Sequence, residues 1–150
     1  MQTKDLIRYA KIAALGLAFL SVAAEIEADS GKPITQADVQ ELLKNGESDQ
    51  LKAIIEERRI DFMRVLTPLA SWHTDSSKSL LDTLRQHAGN NFEKLMYLHA
   101  CVRYGRVDQL DGVAKFQTDG DEKVRNTAID ASRILEDMKR FFKERFGMLE

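Results

Sequence analysis

Residues 121–146 read DEKVRNTAIDASRILEDMKRFFKERF, and the reading of this stretch decides the fold class. Val124, Ala128, Ala131, Leu135, Met138 and Phe142 recur at alternating steps of four and three. That is the period of one face of an α-helix, and no strand has it. The spacing predicts one long helix from Asp121 to about Phe146, entered through the turn Thr118-Asp119-Gly120 and ended by Gly147. Lys139, Arg140, Lys143 and Arg145 gather near its C-terminus, where cations oppose the helix dipole.

Working back along the chain, a short sixth helix runs from about Arg106 to Phe116, weakened at Gly112. A fifth, capped by Asn90 or Asn91 and ended at Gly105, carries Phe92, Leu95, Met96, His99 and Val102 on one stripe. A fourth starts at Ser76-Ser77, ends at Gly89 and turns Leu80, Leu81 and Leu84 inward. A third is capped by Ser48 and buries Leu51, Ile54, Ile55, Phe62, Val65 and Leu66. Thr67-Pro68 interrupts it, because proline fits best at a first helical position. The following turn, Leu69 to His73, holds the only tryptophan, Trp72, which reads as a core plug. Thr35 with Asp38 forms a capping-box pair that opens the second helix, and Asn45-Gly46 stops it.

Residues 110–116 with Thr118-Asp119-Gly120-Asp121, Val124-Arg125, Ala128 and Ala131 resemble one HEAT-type helix pair, with an Asp-rich turn between two helices and Val-Arg opening the second. The likeness covers about a fifth of the chain, with no second copy at the period of roughly 40 residues that such arrays need. It implies a stack of helical hairpins, which is a binding surface rather than a catalyst.

The N-terminal segment admits three readings. Ile12 to Ala24 is apolar apart from Gly16 and Ser21 and follows Lys4, Arg8 and Lys11, the order of a secretory signal. It is short of the roughly 20 residues a membrane span needs, which disfavours an anchor. The favoured reading is a core helix from about Lys4 to Ala28, capped by Thr3. Leu6, Ala10, Ala13, Leu17, Leu20 and Ala24 form one helical stripe, and Asp5 interrupts the basic lead-in.

The whole is expected to be an all-α, single-domain helical bundle over residues 1–150, with about six to seven helices, mostly antiparallel neighbours, and long first and last helices. Short connections leave no linker for a second domain. A net charge of −2 excludes a global field drawing the chain to nucleic acid or acidic lipid. The single cysteine, Cys101, cannot form an intramolecular disulfide, which fits the cytoplasm; export is the alternative if Ile12 to Ala24 is a signal.

No chemical motif emerges. The glycines form neither a phosphate loop nor a dinucleotide fingerprint. His73, His87 and His99 lack metal-ligand spacing; His99 reads as a core or boundary residue, and His87 as a helix-end cap. Cys101 lies mid-helix among apolar residues and reads as an inert buried thiol. No cofactor, metal, catalytic residue or small-molecule substrate is therefore expected. The expectation is a non-enzymatic module that binds another protein or itself, with Arg58, Arg59, Lys139, Arg140, Lys143 and Arg145 as candidate partner-binding residues. A nucleic-acid-binding regulator using the basic C-terminal helix is the first alternative and an exported or membrane-anchored helical protein the second.

Overall fold

The computed structural model describes residues 33–147. They form seven α-helices: α1 (Gln36–Lys44), α2 (Ser48–Glu56), α3 (Phe62–Ser71), α4 (Asp75–Gln86), α5 (Asn91–Arg103), α6 (Leu110–Ala114) and α7 (Glu122–Phe146). Single 3-10 turns, Val107–Gln109 and Lys115–Thr118, flank α6, and there is no strand among the described residues. All seven helices belong to one compact unit, Ile34–Glu150. The expected first helix, its Thr3 cap and the signal and anchor readings of Ile12 to Ala24 lie outside the described residues.

Local chemistry sets the helix starts. The Thr35 hydroxyl accepts from the Asp38 amide, and the Asp38 carboxylate accepts from the Thr35 amide at 2.6 Å, so the expected capping box opens α1. Thr74 and Ser77 form a second such box, which starts α4 at Asp75, ahead of the expected Ser76-Ser77. Asn90 caps α5, and Asp121 caps α7. For α2 the expected cap, Ser48, is instead the first helical residue; Glu47 precedes it without a side-chain cap bond.

The expected third helix is two helices. After Glu56 the chain turns through Arg58 at φ 51°, while the Arg58 and Arg59 amides donate back to the Ile55 and Ile54 carbonyls. This is a Schellman stop with arginine where glycine usually stands, at a cost of about 1–2 kcal/mol for the left-handed backbone. The sequence hides the break because it lacks the glycine. The same bond pattern after α5 uses Gly105, at φ 60°, as expected. Asp61 then caps α3 through the Met63 amide. Pro68 lies inside α3 rather than ending it, and Leu69 to Ser71 continue the helix. Leu66, Leu69 and Ala70 are fully or nearly fully buried around it, and that burial offsets the backbone hydrogen bond the proline forgoes.

Helices α1, α3, α5 and α7 pack successively in one layer, and α2, α4 and Val107–Gln109 in the other. α1 pairs with α2, α3 with α4, and α6 with α7, so the molecule is a bundle of stacked helix pairs. Within their layer α5 and α7 run the same way. The Asn91 side-chain Nδ2 donates to the Asp121 carboxylate at 2.9 Å where both begin, and Gly105, just past the end of α5, lies against Met138.

One buried cation ties the pairs together. Arg106 is fully buried; its guanidinium donates to the Leu69 and Trp72 carbonyls, to the Ser77 hydroxyl and bidentately to Asp108. It thereby satisfies carbonyls left over at the end of α3 and fixes them to the start of α4. Beside it, the fully buried Tyr97 donates to Gln109 at 2.8 Å, and Gln109 donates to the Lys78 carbonyl.

Candidate functional site

The length of α7 relative to its neighbour creates the most distinctive surface. Its start is clamped: Lys94 meets Asp119 at 2.8 Å, the Asp121 carboxylate accepts from Val124, and Arg125 donates to the Asp119 and Gly120 carbonyls. The hydrogen bond from Lys94 holds the Asp119 carboxyl below the usual carboxylate range. From there Val124, Ala128, Ala131 and Leu135 are buried along the expected stripe.

Past Met138 the stripe continues but its cover stops. α5 has 13 residues, about 20 Å of helix, whereas α7 has 25. Residues 139–146 therefore extend about 12 Å beyond the level at which α5 ends. Phe142 is half-buried, while Phe141 and Phe146 are 56% and 57% exposed. The three rings meet edge-on or tilted, with centroids 5.9 to 6.4 Å apart. Lys139, Arg140, Lys143 and Arg145, all exposed, interleave with them.

An open groove of about 480 Å³ between α5 and α7 adjoins this segment. Leu98, Val102, Ala131 and Ile134 form its apolar floor and wall, and Arg103 and Asp130 stand on its rim. Ile134 is 42% exposed there. Asp130, Ile134, Met138, Phe141 and Arg145 follow one another at helical spacing on this side of α7.

The six basic residues expected to bind a partner fall into two separate groups. Arg58 lies at the α2–α3 turn beside the beginning of α5. It donates to the His87 carbonyl, lies 3.9 Å from Glu93 and packs over Gly89. Arg59 pairs with Glu57 at 3.6 Å. Lys139, Arg140, Lys143 and Arg145 lie past the opposite end of α5, about 20 Å away. Arg58 does structural work as the closing cap of α4, and the distal four form a surface of their own.

The stripe expected on α5 is displaced. Tyr97, Leu98, Ala100 and Cys101 are buried, whereas Phe92 is 60% exposed and His99 faces solvent. α5 carries apolar residues on more than one side, so spacing alone selects the wrong one; of the groove wall, Val102 is on the expected stripe and Leu98 is not. Trp72 is half-buried beside Gln40 and Lys44 of α1, not enclosed in the core. His87 caps the end of α4 as expected, with its Nδ1 2.9 Å from the Thr83 carbonyl. Sequence reasoning did not assign Arg106 its clamp; its one local signal is Asp108, two residues on.

Cys101 is buried, as its context suggested: it is fully shielded from solvent, and burial pushes the thiol up to about 12. Burial likewise pushes the Tyr97 phenol far up, so both stay protonated. Among the described residues no three His, Cys, Asp or Glu side chains converge as metal ligands, and no helix is long and apolar enough to cross a membrane. No protein-family model, no curated protein and no solved structure matches this chain.

Proposed function

We propose that this chain is a non-enzymatic protein-binding module whose docking surface is the distal part of α7 with the adjoining α5–α7 groove. One observation carries the reading: α7 outruns α5, and in the part beyond it Phe141 and Phe146 stand more than half exposed among cations. Contiguous exposed aromatics of this kind are costly in water and are a feature of protein-binding patches. The fully buried, protonated Cys101 supports the non-catalytic part of the proposal, because a shielded thiol attacks nothing. The single cysteine also fits a cytoplasmic protein without disulfide staples.

The test is quantitative affinity capture with the full chain and with a Phe141→Ser/Phe146→Ser variant. A protein retained by the native chain and lost by the variant is the expected result. Equal retention by both sets the reading aside. A second reading, nucleic-acid binding, rests on Lys139, Arg140, Lys143 and Arg145 all being exposed on one segment. It requires an affinity that falls steeply with salt and survives the loss of both phenylalanines.

A further inference from the structure

Taking that docking surface as its starting point, we infer that the partner is a second copy of this chain, bound through antiparallel pairing of the two α7 helices. The charges along α7 point to this occupant. In residues 139–146, Lys139, Arg140, Lys143 and Arg145 against Glu144 leave a net charge of +3. In residues 130–137, Asp130, Glu136 and Asp137 against Arg133 leave −2. Parallel pairing sets like charge on like, whereas antiparallel pairing sets each basic segment on the other copy's acidic one.

The exposed side chains fix the register. Asp130, Ile134, Phe141 and Arg145 lie along the groove side of α7, acid at one end, base at the other, apolar between. A two-fold axis between Asp137 and Met138 places Arg145 of each copy opposite Asp130 of the other, and Phe141 opposite Ile134. Each Phe141 then enters the apolar groove beside Val102 of the other copy. The knob and the groove that receives it are about 10 Å apart on a single helix. A two-fold interface uses one patch twice, and this patch is complementary to itself. Phe141, which lacks cover in one copy, gains it from the other.

The experiment is sedimentation equilibrium of the full chain from micromolar to several hundred micromolar. Four proteins are compared: the native chain, Asp130→Arg, Arg145→Glu, and the two changes combined. Both residues are exposed, so the variants keep the fold, which circular dichroism verifies. The expected result is a monomer–dimer equilibrium in the native chain. Each single reversal breaks the pair twice by symmetry and weakens dimerisation about tenfold or more, and the combined protein recovers most of the loss. A native chain that stays monomeric throughout overturns the second-copy assignment, while the capture experiment separately decides the broader reading. A dimer indifferent to both reversals, or one the combined protein fails to restore, overturns the antiparallel α7 pairing.

Discussion

The two halves of α7 share one periodicity and have opposite fates. Val124, Ala128, Ala131 and Leu135 are shielded by α5 and α6, whereas Phe141 and Phe146, on the same continuous helix, stand in solvent. Helical spacing tells which residues share a side; it does not tell whether another element reaches far enough to cover them. The cover on the stripe ends where α5 ends, at Gly105 beside Met138, which exposes Phe146, while Phe141 continues the groove side on which Ile134 is already 42% exposed. In the proximal half apolar burial stabilises the fold, and in the distal half the same residue types are the ones proposed to associate.

The largest effect expected is at the polar clamp just inside this boundary. Arg106→Ala removes a fully buried side chain and leaves the Leu69 and Trp72 carbonyls without its donors, at about 3–5 kcal/mol in urea unfolding for two unsatisfied carbonyls and the lost packing. A loss below about 1 kcal/mol shows that the helix pairs are held by apolar packing alone. Within α7 itself, Leu135→Ala, in the fully covered half, is expected to cost about 2–5 kcal/mol. Phe141→Ala, measured at a concentration where the chain is monomeric, is expected to stay within about 0.5 kcal/mol of the native chain. Equal costs for the two erase the distinction between the halves.

How legible was this in the sequence? The all-α class, α7 from end to end, the α1 capping box and the burial of Cys101 follow from residue period, cap chemistry and apolar context. The break between α2 and α3 was hidden because Arg58 occupies a left-handed position without the glycine that advertises one. Pro68 misled in the opposite direction, since burial around it keeps the helix whole. In the candidate surface the four distal cations were visible, but their separation from Arg58 and Arg59 was not. That separation depends on α5 and α7 running parallel, and no local pattern encodes the direction in which two non-adjacent helices pack.

Two smaller effects sharpen the clamped start of α7. Asp121→Ala deletes the cap on Val124 and is expected to cost about 1 kcal/mol. Asp119 is expected to confer acid sensitivity on the same turn. Its folded pKa lies below the unfolded value of about 3.9, so the stability it adds is fully present above that value and is lost as pH falls through the lowered one. Amide exchange at residues 121–125 reports the loosening, and Lys94→Met moves its midpoint toward the ordinary carboxylate range. A midpoint unmoved by Lys94→Met rules out that ion pair as the cause.

Amide hydrogen exchange along α7 as a function of protein concentration tests the central contrast most directly. Protection of residues 139–146 is expected to rise with concentration while protection of 124–128 stays constant, because the second copy covers the first segment and lies clear of the second. Protection of 139–146 that is independent of concentration, or that changes in step with 124–128, contradicts it.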